Sequence, residues 1–128
     1  MEEGIKQIVG KTIIDIKNID DRELRFTTKE GDVYRMYHQQ DCCESVSIES
    51  ISGDLNDLLN CKVLVAEEKS NREEVYYGDD SYSDGTCTWT FYTIATIKGY
   101  VDIRWYGSSN GYYSESVYFE LMEPTSED

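Results

Sequence analysis

The chain has 128 residues, 39% of them hydrophobic and 30% charged, which is the size and composition of one soluble globular domain. Twelve Lys and Arg stand against twenty-six Asp and Glu, a net charge of −14. A field of that sign repels phosphate backbones and anionic lipid, so neither direct nucleic-acid binding nor a membrane partner is expected.

Short runs of β-branched and aromatic residues dominate from the start of the chain. KTIIDIKN, residues 11–18, reads as a first strand. ELRFTT, residues 23–28, alternates with Leu24 and Phe26 on one face. KEGD is a turn in which Gly31 supplies a positive φ. VYRMYH, residues 33–38, returns with Tyr34, Met36 and His38 sharing a face, and SVSIES follows with Val46 and Ile48 on one side. In SGDLNDLLN, Asp54 is the expected N-cap of a helix of about two turns, and Leu55, Leu58 and Leu59 form its apolar stripe. KVLVAEE, residues 62–68, is the next strand.

Residues 69–86 are polar and acidic and read as one long loop. CTWTFYTIATI, residues 87–97, reads as a long strand whose odd positions, Cys87, Trp89, Phe91, Ala95 and Ile97, face the core. After a turn at Lys98-Gly99, YVDIRWYG puts Val101, Ile103 and Trp105 on one face. Asn110-Gly111 is a strong hairpin signal, and YYSESVYFEL is expected to close a meander with Val117, Phe119 and Leu121 inward. Residues 1–122 form a single domain in this reading, and residues 123–128 are a frayed tail. The fold class is mostly β (α+β), a twisted antiparallel sheet or partly closed barrel with one short helix.

No apolar run reaches membrane-spanning length, and MEEGIKQIVGK is acidic where a signal peptide is basic. The expected location is the cytoplasm of the host cell, where Cys42, Cys43, Cys61 and Cys87 stay reduced.

The runs H-x-x-D-C-C-E from His38, G-D-L-x-D-L from Gly53 and W-Y-G-x-S-N-G-Y-Y-S-E from Trp105 resemble a family of short phage and prophage proteins without an assigned activity, found also in some, largely Gram-positive, bacteria. The resemblance spans residues 32–119 and implies a phage or mobile-element origin. It implies no catalytic residues.

Four constellations can carry chemistry. His38, Asp41, Cys42, Cys43 and Glu44 are all zinc-ligand types, but adjacent cysteines on extended backbone point to opposite faces. Small buried apolar cysteines are the simpler account, and no metal or cofactor is expected. A Cys–His nucleophile would have to use His38, the sole histidine, and no glycine-rich loop supplies an oxyanion hole. Glu115 falls on an inward parity and needs a partner, for which Arg104 or Arg35 is the expected cation. The Tyr-rich segment, with Tyr106, Asn110, Tyr112, Tyr113 and Ser114, has the aromatic and amide groups of a recognition surface.

Together these point to a non-enzymatic binding protein that sequesters a host component, either a nucleotide-like small molecule or a basic host protein. Its expected ligand-binding residues are His38, Asp41, Glu44, Arg104, Tyr106, Asn110, Tyr112, Tyr113, Ser114 and Glu115. This requires the cysteine bend and the Asn110-Gly111 turn to meet at one rim. The alternatives are a small hydrolase or lyase using His38 with Cys42 or Glu44, and an acidic structural or virion-associated module. Exposed strand edges make a homodimer possible.

Overall fold

The computed structural model describes residues 4–75 and 85–122. Among these residues eight strands make two four-stranded antiparallel sheets. They are β1 (Ile13–Ile19), β2 (Glu23–Thr28), β3 (Val33–Tyr37), β4 (Ser45–Ser52), β5 (Val65–Val75), β6 (Gly85–Thr96), β7 (Gly99–Ser109) and β8 (Tyr118–Leu121). The first sheet has the order β1-β2-β3-β8 and the second β4-β7-β6-β5. The mostly-β expectation holds, with the described strands in two sheets that form no closed barrel.

Alternation sets the inner faces. Leu24 and Phe26 on β2 pair with Met36 and Tyr34 on β3, and Phe119 on β8 pairs with Met36. Opposite them, Val101, Ile103 and Trp105 on β7 are fully buried. The layers share one core, and Trp105 Nε1 donates to Met36 Sδ across it at 3.2 Å. Burying a side chain of this size contributes about 1.5–3 kcal/mol.

The β6 parity is opposite to the expectation. Thr90, Tyr92, Ile94 and Thr96 face inward, while Phe91 is 39% exposed and Trp89 half-buried. Both faces of this strand are apolar, so composition does not choose between them. Its register on β7, Tyr92 against Ile103 and Ile94 against Val101, does. Residues 69–75, expected as loop, extend β5, because β6 is long enough to pair with them as far as Val75 against Gly85. They form a charged, exposed edge with no apolar alternation. Of the rest of the expected loop, residues 85–86 begin β6 and residues 76–84 lie outside the described residues, as does the tail 123–128.

The expected helix is a single 3-10 turn, Leu55–Leu58. Asp54 caps it, accepting from Asn56 N at 2.9 Å, and Leu58 is buried. A second 3-10 turn, Gly4–Ile8, buries Ile5 and Ile8. Its Gln7 side chain donates to Phe119 O at 3.3 Å on β8, and Lys6 Nζ to Ala66 O at 3.5 Å on β5. It thereby bridges an edge of one sheet to an edge of the other.

The largest difference lies after β7. Asn110-Gly111 does not turn a hairpin. Residues 110–117 cross from the second sheet to the first, where β8 pairs with β3. Gly111 adopts φ +96°, and the Asn110 side chain accepts from Tyr112 N at 3.0 Å, a local turn that needs no partner strand.

Candidate functional site

His38 follows the last residue of β3 and keeps its inward parity, with a side chain only 3% exposed. Its Nε2 lies 2.8 Å from Glu44 Oε2 and its Nδ1 2.7 Å from Ser116 O. Both ring nitrogens are therefore engaged by partners within the fold.

Glu44 sits inside the bend that starts at His38. Its carboxylate also accepts Asp41 N at 2.7 Å and Cys42 N at 2.9 Å. Gln40 Nε2 ties the bend by donating to Glu44 O at 2.8 Å. Burial alone would raise the carboxyl pKa. The Cys42 amide, the His38 ring and the amides of Asp41 and Glu44 outweigh it and bring the value down to about 2.

Cys42 and Cys43 are both exposed, and their Sγ atoms lie together on one side of the bend, placed to form a disulfide. This corrects the expectation of opposed side chains. The segment is bent and not extended, so neighbouring side chains reach the same side. Cys87 is buried and Cys61 half-buried, as expected of free cysteines. Among the described residues no three His, Cys, Asp or Glu side chains converge as a metal-ligand set.

Glu115 is 5% exposed, inward as its parity implied, but neither arginine reaches it. Thr86 Oγ1 donates to Oε2 at 2.5 Å, Ser109 Oγ to Oε2 at 2.6 Å and Thr88 Oγ1 to Oε1 at 2.7 Å. Burial raises this carboxyl pKa, but the Ser109, Thr86 and Thr88 hydroxyls and the charge of Arg72 leave it lowered. Gly107 makes the room, since a Cβ there would stand 2.9 Å from Val46 Cγ2 and 3.0 Å from Glu115 Cβ.

The cysteine bend and the Asn110-Gly111 turn do share one rim. β4 begins opposite the end of β7, with Ser45 against Ser108, and His38 holds Ser116. One recess of about 300 Å³ is lined by Cys43, Ser45, Thr86, Tyr106 and Ser109. A second of about 300 Å³ is lined by Arg72, Thr88, Tyr113, Ser114 and Ser116, with Glu115 in its wall.

Not every expected residue belongs to this rim as a free group. His38, Glu44 and Glu115 are committed to internal bonds, and Asp41 contributes its amide. Ser114 is exposed and accepts from Ser116 N at 3.2 Å. Tyr113 is half-buried, and Tyr112 is 88% exposed. Arg104 is not at the rim's centre. It lies on the outer face of the second sheet, paired with Glu49 Oε1 at 2.7 Å, its guanidinium carbon 5.4 Å from the Trp89 ring centroid. Arg35 lies over Tyr37 and 3.8 Å from Glu120.

Sequence reasoning missed that outer face. Trp89 stacks with Phe91 at 6.5 Å and tilts against Tyr106 at 4.6 Å. It also missed the hydroxyl cage, whose one legible sign is the Thr-x-Thr pattern at Thr86 and Thr88.

Fold and site thus define a two-sheet β domain whose rim is organised by two buried, internally satisfied carboxylates. The family model described as a domain of unknown function (DUF7448) matches residues 6–119, and the chain belongs to that family. No curated protein and no solved structure matches it.

Proposed function

We propose that the protein is a non-catalytic binding module of phage or mobile-element type that captures a basic segment of a host protein. One observation carries this reading. The titratable groups of the motif bend, His38 and Glu44, spend their hydrogen bonds inside the fold, while aromatic side chains face outward beside them. Tyr112 and Phe91 are exposed and offer π faces, Phe91 backed by the stacked Trp89, and such faces attract Lys and Arg. The net charge of −14 steers a cationic partner toward the molecule and an anionic one away.

A nucleotide-like ligand is the second reading, favoured by the stacked Trp89–Phe91 pair. Against it, the neighbouring cation Arg104 is already paired with Glu49.

Calorimetric titration with Lys/Arg-rich peptides and with nucleotides, each at two salt concentrations, tests the proposal. Peptide binding that weakens steeply with salt and is lost in Trp89→Ala and Tyr112→Ala supports it. Salt-insensitive nucleotide binding moves the assignment to the second reading. Turnover of any substrate that disappears in His38→Gln, with the fold intact, refutes both.

A further inference from the structure

We propose that Cys42 and Cys43 form a reversible dithiol–disulfide exchange site whose state sets how firmly the motif bend holds Glu44. The inference does not depend on the partner proposed above. Both residues are exposed, so a small-molecule or protein dithiol can reach the pair. The other cysteines are less available: Cys87 is buried, and half-buried Cys61 directs its Sγ to Leu59 O at 3.5 Å.

The coupling to Glu44 is covalent and short. With their sulfurs already side by side, a disulfide between them closes a small ring around the Cys42–Cys43 peptide. The amides of Cys42 itself and of Asp41, immediately before it, are two of the donors on the Glu44 carboxylate. That carboxylate holds His38, which holds the crossing segment at Ser116. Opening the ring restores torsional freedom to the bend at the residues that supply those amides.

The exchange balances with a dithiol reductant. One reductant thiolate attacks a cysteine sulfur, the S–S bond breaks, and a mixed disulfide forms while the released thiolate takes up a proton. The reductant's second thiol then displaces the protein sulfur. The products are two cysteine thiols and an oxidised reductant carrying a disulfide. Two electrons have passed to the pair, and an oxidised dithiol runs the reaction backwards.

The test uses the whole protein, treated with diamide, which takes up two electrons and two protons from the thiol pair, or with reduced dithiothreitol, then freed of reagent, denatured, alkylated with iodoacetamide and weighed. Of the four cysteines, two should escape alkylation after oxidation and none after reduction, with the unlabelled pair mapped to the peptide holding Cys42 and Cys43. In parallel, the ring signals of His38, the one histidine, should shift between the two states in a proton–nitrogen spectrum. Cys43→Ser should show the reduced-state spectrum under both conditions. The wild-type titration stands alone if that variant does not fold. Four adducts after oxidation, or a disulfide that leaves the His38 signals unmoved, overturns the proposal.

Discussion

Replacing Glu115 with Ala removes the acceptor for three hydroxyls at 2.5–2.7 Å. Each hydrogen bond to a charged group contributes about 1.5–3 kcal/mol. The full sum overstates the loss, because the hydroxyls can re-pair. Thr86 and Ser109 are already 3.3 Å apart, and Thr88, only partly buried, can turn to water. Ala also leaves a void beside Gly107 and Val46, where Glu115 now packs. The expected loss is about 2–4 kcal/mol, or a fall of roughly 8–15 °C in Tm for a domain of this size. Glu115→Gln keeps the volume and one acceptor oxygen but loses the charge, and should cost about half as much. Calorimetric melts and urea titrations of the three proteins at neutral pH measure this. A Glu115→Ala melt within a degree or so of wild type, or a Gln variant less stable than the Ala variant, refutes the claim that the hydroxyl cage holds the crossing segment.

Acid should destabilise the fold through its two caged carboxylates. Both folded pKa values lie below the ordinary 4.5, that of Glu44 at about 2, so the stability they supply is full above the unfolded value. It is lost as pH falls from there through the folded values, and the double variant Glu44→Gln/Glu115→Gln should flatten that slope in melts across the acid range. Tyr92→Phe should cost about 0.5–1.5 kcal/mol, because the buried Tyr92 hydroxyl interacts with the Glu68 carboxylate and Phe removes that partner. A urea midpoint at or above that of wild type would refute the interaction. Gly107→Ala should cost about 1–3 kcal/mol by pushing a methyl into Val46 and Glu115, read as a lowered urea midpoint with an unchanged slope.

What the sequence made legible follows from where one force dominated. β2 and β3 have clean alternation and a glycine turn, and both emerge with their expected inner faces. Asp54 was readable as a cap because an aspartate before a leucine stripe has few other uses, although packing shortened the expected helix to one 3-10 turn. β6 was misread because Trp89 and Phe91 outweighed Tyr92 and Ile94 in apparent hydrophobicity, and only the β7 register discriminates. The Asn110-Gly111 pair was overread, since it fixes a local bend and says nothing about which sheet the chain enters next. At the site, proximity of the two motifs was correctly inferred. The partners of Glu115 were not, because three hydroxyls from β6 and β7 can replace one cation and carry no charge signature in the sequence.

The passage of residues 110–117 from one layer to the other has a mechanical consequence. A pull applied at Tyr112 does not peel a terminal ribbon strand by strand. Force entering there runs backward into β7, a central strand of the second sheet, and forward into β8 at the margin of the first, with His38 clamping the strap between them. The load is therefore shared by both layers, which the Trp105–Met36 contact joins across the core.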